Sequence, residues 1–124
     1  MPNAIEDVLK ERDRQQNEKG RTAEHDDHHV KGELALAAAA YALHSSAALL
    51  PEPSESMSSG KYFLQAYAGA AWPWAPEYWK PKAPRQNLVR AAAMLLAEID
   101  RIDRAEQVGE VRAESAAASM SYSQ

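Results

Sequence analysis

Residues 30–50 read VKGELALAAAAYALHSSAALL, a stretch without proline in which apolar side chains fall on nearly every side of a helical projection. A helix that is apolar all round belongs in the middle of a bundle, so this segment predicts a central, buried helix. Its alanines predict close approach by another helix, either within the chain or across a subunit interface. Tight bundle packing and homo-oligomerisation both satisfy that demand.

The flanking segments extend the same reading. Residues 4–19 follow Pro2 and Asn3, a plausible cap, and place Ile5, Val8 and Leu9 on one side before turning almost wholly polar. They predict an amphipathic helix whose second half is solvated, stopped at Gly20. Thr22 can cap the next helix, with Glu24, Asp26 and Asp27 near its first turn. Residues 50–60, LPEPSESMSSG, predict a surface loop. Residues 61–71, with Tyr62, Phe63, Leu64 and Tyr67, predict a short helix.

Residues 72–85, WPWAPEYWKPKAPR, hold all three tryptophans and four prolines, which excludes a regular helix and a central strand. In residues 85–104, RQNLVRAAAMLLAEIDRIDR, the positions Leu88, Ala91, Ala92, Leu95, Ile99 and Ile102 share one helical face. That face is the predicted core side, with Arg90 and Arg101 opposite. The expected architecture is therefore all-α: a compact, oligomeric bundle of three main helices with a Trp/Pro-rich loop. One helical domain covers residues 1–108, and a polar, mobile tail covers 109–124.

Composition narrows the function. The 124 residues carry a formal net charge of −4, so no broad basic field exists for general nucleic-acid binding. Without cysteine there is no disulfide framework and no thiolate metal site, which fits a reducing compartment. The start, charged from residue 6, lacks the apolar core of a signal peptide, and no run approaches the ~20 apolar residues of a membrane span. A cytoplasmic protein with no membrane association is expected. No Ser-His-Asp triad, Gly-rich phosphate loop or zinc finger is present.

Two constellations can carry chemistry. The first is Glu24, His25, Asp26, Asp27, His28, His29 and Glu33. His25 and His29, like His29 and Glu33, stand four apart, so a helix would align imidazole and carboxylate groups for a divalent metal. Acidic residues complementing a helix N-terminus explain Glu24 and Asp26 equally well. Glu98 and Asp103, beside the apolar face of the last helix, are further candidate ligands. The metal set is thus Asp26, His29, Glu33, Glu98 and Asp103, for magnesium or manganese.

The second constellation is Trp72, Trp74, Tyr78, Trp79, Lys80, Lys82 and Arg85. Flat rings can stack on a nucleobase while lysine and arginine pair with phosphate. Alternatively, the tryptophans close the open end of a bundle, and a lid over a core can also roof a pocket. The candidate ligand-binding residues are His29, Glu33, Trp72, Trp74, Trp79, Lys80, Lys82, Arg85 and Arg90.

ERDRQ at 11–15, Gly20, EHDDHHVKGELALAAAAYA at 24–42, WPW at 72–74, WKP at 79–81 and RQNLVRAAAMLLAEIDRIDR at 85–104 resemble a family of small uncharacterised phage and prophage proteins. Relatives carry Gly-Trp where this chain has Gly20-Arg21. A more distant similarity is to the MazG-like all-α nucleotide pyrophosphohydrolases, in which a Glu-Glu-x-x-Glu motif and a later acidic pair bind magnesium. Aligned through Gly32-Glu33, that motif falls on His29, Val30 and Glu33, keeping one carboxylate of three. The later pair falls near Asn87 and Arg90, neither acidic. A weaker similarity, to the ryanodine-receptor repeat, shares residue order but not spacing.

The resemblance and the residue chemistry together imply a phage accessory protein that binds, and sequesters from host defence, a nucleotide or nucleotide-derived signal. Two alternatives remain open at this point: a magnesium-dependent pyrophosphohydrolase, and an inhibitor that presents its Trp-rich loop and tail to a host defence enzyme.

Overall fold

The computed structural model describes residues 2–19, 22–28, 31–50 and 60–122, with side chains described over the same ranges except 60–63 and 110–122. Among these residues five α-helices follow in order: α1 (Ala4–Asn17), α2 (Ala23–Asp27), α3 (Glu33–Leu49), α4 (Gly60–Ala71) and α5 (Pro84–Tyr122). A single 3-10 turn, Pro76–Tyr78, lies in the strap that joins α4 to α5. No strand occurs among the described residues, and no helix among them is long and apolar enough to cross a membrane. The described residues are all-α, in five helices where three main ones were expected. Of the surface loop expected at residues 50–60, residues 51–59 lie outside the described residues, and Gly60 begins α4.

Local signals account for the boundaries. Asn3 caps α1, its Oδ1 accepting from the Glu6 N–H at 3.1 Å, and Glu6 and Asp7 complement the positive end of the helix. Thr22 caps α2 through its Oγ1, which accepts from the His25 N–H at 3.3 Å. Gly32 precedes α3 at φ +81°, a left-handed conformation that a β-carbon would disfavour. Hence α3 starts at Glu33, three residues after the start of the apolar run. Pro84 opens α5, where a missing N–H costs nothing and its fixed φ suits a helix.

The core is built largely from alanine. Ala37, Ala38, Ala40 and Ala47 of α3, Ala68 of α4, and Ala91, Ala93 and Ala97 of α5 are buried. α3 runs against both α4 and α5, and these small side chains let the backbones come close. Bulk is supplied at one end by Tyr41, Trp72 and Met94, with Ala71, Trp74 and Trp79 packed against them. Tyr41 meets Trp72 edge-on at 5.5 Å and Trp79 at 4.9 Å, and Trp72 meets Trp74 edge-on at 5.2 Å. These spacings lie in the favourable range for aromatic pairs.

Two expectations are corrected here. The buried side of α5 is Asn87, Ala91, Ala93, Met94, Ala97 and Glu98, and only Ala91 is shared with the predicted core face. Leu88, Leu95, Ile99 and Ile102 are instead 43, 46, 53 and 41% exposed. The alanine-lined surface of α3 accepts a helix face of small residues, and α5 turns its larger aliphatic side chains away from it. The second half of α1 is likewise only partly solvated, because Arg12 and Gln15 are buried while Asp13 and Asn17 are exposed. Helix α5 runs on past residue 109 to Tyr122. That segment holds alanine, glutamate and arginine, good helix formers, and no proline.

Ion pairs tie α1 and α2 to α5. Arg12 lies 3.6 Å from Asp26 of α2 and 3.6 Å from Asp100 of α5. Asp26 has no solvent exposure, and its other oxygen lies 3.2 Å from His25 Nδ1. Arg104 reaches Asp27 at 2.8 Å, and Arg85 reaches Asp7 at 2.7 Å. Removing one partner of a buried pair leaves the other charge uncompensated, so Arg12→Leu is expected to lower unfolding stability by about 3 kcal/mol. Arg12→Leu combined with Asp26→Leu is expected to cost less than Arg12→Leu alone. Urea titrations followed by circular dichroism check both, and equal or larger loss in the double variant contradicts the pairing.

Candidate anion-binding pocket

A pocket of about 460 Å³ opens between α1, α3, α5 and the strap. Glu11, Arg14 and Gln15 of α1 form one wall, with Lys19 just past its end, and Tyr41 comes from α3. The strap contributes Tyr78, Lys80 and Lys82, and α5 contributes Arg90 and Met94. Five cationic side chains therefore face one carboxylate, on a chain whose net charge is −4. Such a concentration of one sign in a concave site attracts anions and focuses their approach.

The strap is held in place by its backbone. The Lys82 N–H donates to Asn87 Oδ1 at 2.7 Å, and Asn87 Nδ2 donates to the Lys82 carbonyl at 2.8 Å. Asn87 is wholly buried, so its amide is committed to this reciprocal clamp. Arg90 donates to the Lys80 carbonyl at 3.1 Å, and Trp72 Nε1 donates to the Ala75 carbonyl at 3.0 Å. Ser45 Oγ lies 2.9 Å from the Tyr41 carbonyl and 3.2 Å from the Pro84 carbonyl, so its one hydroxyl proton is shared between α3 and the start of α5. With its backbone fixed at these points, the strap delivers Lys80 and Lys82 to the rim at little further ordering cost.

On the opposite wall Arg14 holds Glu11 in a two-pronged contact, Nε to Oε1 at 2.7 Å and a terminal nitrogen to Oε2 at 2.8 Å. Gln15 Nε2 adds a hydrogen bond to Oε2 at 2.9 Å. Burial alone raises the Glu11 pKa. Hydrogen bonds from Arg14 and Gln15, with the charges of Arg14 and Arg90, outweigh it and hold the group below the ordinary carboxylate value. The Glu11 hydrogen bond raises the Arg14 pKa further above its usual value. Across the pocket, the Arg90 guanidinium sits 6.0 Å from the Tyr41 ring centroid, at the outer limit for cation–π attraction.

The residues singled out from the sequence are distributed over the molecule. Lys80, Lys82 and Arg90 meet at the pocket. Arg85 is turned to Asp7, and Trp72, Trp74 and Trp79 lie in and against the core around Tyr41. Glu33 stands at the start of α3, where its Oε1 accepts from the Lys31 N–H at 2.6 Å. Asp26 faces Arg12, and Glu98 faces Arg101. Asp103 is exposed on α5, and His29 lies outside the described residues. Among the described residues no group of three or more His, Asp or Glu side chains could hold a metal ion. Glu11, Arg14, Gln15, Lys19, Tyr41 and Met94 were not marked by the sequence. The polar run ERDRQ reads as solvated surface, and Tyr41 sits unremarked in a run of alanine.

No protein-family model, curated protein or solved structure matches the chain.

Because the Glu11 pKa is lowered on folding, its ionised form stabilises the fold at pH values above the unfolded value near 4.5. That stabilisation is lost as pH falls through the lower, folded value. Unfolding free energy measured by urea titration at a series of pH values below about 6 is expected to fall towards acid. Glu11→Gln is expected to flatten that part of the profile, and an unchanged acid slope in this variant would remove Glu11 as its source.

Proposed function

We propose that this protein binds and holds a nucleotide or nucleotide-derived signal in the pocket between α1, α5 and the strap. The observation that carries this reading is the lining itself: Arg14, Lys19, Lys80, Lys82 and Arg90 beside the rings of Tyr41 and Tyr78. The cations suit phosphate oxygens, to which guanidinium and ammonium groups donate charge-assisted hydrogen bonds. Tyr78 is 60% exposed at the edge and offers a flat face to a base, while the more buried Tyr41 forms part of the inner wall. The volume falls in the range of pockets that enclose small ligands.

Sequestration is preferred to hydrolysis on the chemistry of the walls. The single carboxylate there, Glu11, is engaged by Arg14 and Gln15, whereas magnesium-assisted hydrolysis calls for several oxygen ligands beside the phosphates. The motif resemblance supports the wider role of a phage accessory protein that withdraws such a signal from host defence. The reading includes self-association, supported by the aliphatic side chains exposed along α5.

The test is incubation of the purified protein with a mixed pool of nucleotides and cyclic nucleotides, with and without magnesium or manganese. Filtration, denaturation and mass spectrometry of both fractions follow. An intact nucleotide is expected to be released only on denaturation. Lys82→Ala is expected to weaken its binding by roughly tenfold, the loss of one charge-assisted hydrogen bond. Tyr78→Ala is expected to weaken nucleotide binding while leaving inorganic pyrophosphate little affected. Metal-dependent appearance of a monophosphate and pyrophosphate would overturn sequestration in favour of a pyrophosphohydrolase. Retention of no nucleotide at all would favour the inhibitor of a host enzyme.

A further inference from the structure

Leu88, Ala92, Leu95, Ile99 and Ile102 of α5 follow one another at spacings of four, three, four and three residues. That is the repeat by which a helix keeps one narrow apolar seam turned towards a partner helix. The four larger members are between 41 and 53% exposed, and Ala92 is half-buried. The seam is thus distinct from the core stripe of Asn87, Ala91, Met94 and Glu98 on the same helix. The longest stretch of chain outside the described residues, 51–59, reads PEPSESMSS and holds one methionine as its sole sizeable apolar side chain, so it is unsuited to covering such a seam.

Charge at the two ends of the seam selects the occupant. Arg85, half-exposed beside Asp7 of its own chain, lies one turn before Leu88, while Asp103 and Glu106 are exposed around and beyond Ile102. A second copy laid antiparallel, with Leu95 near its own symmetry mate, brings Leu88 opposite Ile102. It also brings Arg85 opposite position 105, between the acidic side chains at 103 and 106. A parallel copy would instead set Asp103 and Glu106 beside themselves. Twofold pairing of one surface with itself is the commonest mode of self-association, and here the antiparallel sense alone is complementary in charge.

We propose that the protein forms a homodimer through an antiparallel α5–α5 seam made of Leu88, Ala92, Leu95, Ile99 and Ile102, with Arg85 facing Asp103 and Glu106 of the second copy. This rests on the self-association part of the functional reading and is independent of the ligand, so each can fail alone. A pair of helices meeting over about four turns buries less than the ~800 Å² per partner of a standard interface. Assembly is therefore concentration-dependent.

Sedimentation velocity of the full chain from about 1 to 200 µM is expected to show a twofold rise in mass; a monomer throughout overturns the proposal. Leu95→Glu with Ile99→Glu is expected to hold the mass at the monomer value with an unchanged helical circular dichroism spectrum. An undiminished dimer in that variant also overturns it. The chain has no cysteine, so single replacements report pairing cleanly. An equimolar mixture of the Leu88→Cys and Ile102→Cys proteins, mildly oxidised, is expected to give the mixed 88–102 disulfide as the main product. Predominant 88–88 and 102–102 products would overturn the antiparallel arrangement.

Discussion

The close approach that alanine permits along α3 is the constraint on which the rest of this structure depends. Apart from Leu34 and Tyr41, the buried side chains of α3 are small, so α4 and α5 present small faces in return. Ala68, Ala91, Ala93 and Ala97 form those faces. Such a core buries modest apolar area per residue, and two consequences follow. Volume is concentrated at one end, where Tyr41, Trp72 and Met94 pack together with Trp79 against them. The large aliphatic residues of α5 are displaced to the outside, where they remain available to another surface.

The aromatic end in turn defines the pocket. Tyr41 is buried among tryptophans on one side and lines the pocket on the other, so the packing that completes the core also builds the inner wall. The strap passes over this end because its prolines exclude a helix and its tryptophans are drawn into the core. Asn87 then fixes where it crosses α5. A buried asparagine with both amide groups satisfied by the Lys82 backbone is a positional device more than a source of stability, since a hydrogen bond contributes little net energy but is costly to leave unmade. Lys80 and Lys82 are thereby placed by contacts to their backbone and not to their ammonium groups.

How much of this was legible in the sequence differs by element. The all-helical class, the central alanine-rich helix, the caps at Asn3 and Thr22 and the proline-rich strap follow from local rules that act over a few residues. The buried side of α5 does not. Positions 87, 91, 94 and 98 and positions 88, 92, 95, 99 and 102 both follow the helical period, and the second set is the more apolar. Periodicity identifies a face that wants a partner but does not say whether the partner is the protein's own core. The wall formed by Glu11, Arg14 and Gln15 was hidden for a related reason, since polar residues late in an amphipathic helix read as surface until tertiary contacts bury them. Lys80, Lys82 and Tyr78 stood out because charge and aromatic rings alternate within a segment too rich in proline to be packed as regular structure.

Helix α5 therefore serves three surfaces at once, and their angular separation keeps them independent. At 100° per residue, Arg90 points about 160–200° away from Leu88 and Ala92. The pocket side and the apolar seam thus lie on opposite sides of the helix, with buried Met94, Asn87, Glu98 and Ala91 between them. A partner helix on the seam leaves the pocket mouth open, and a ligand among Lys80, Lys82 and Arg90 does not touch the seam. The cost of this economy is that α5 cannot be simplified. Enlarging Ala91 or Ala97 would force it off α3, and any such displacement would carry Asn87 and Arg90 with it, moving the strap carbonyls they hold and the lysines beyond.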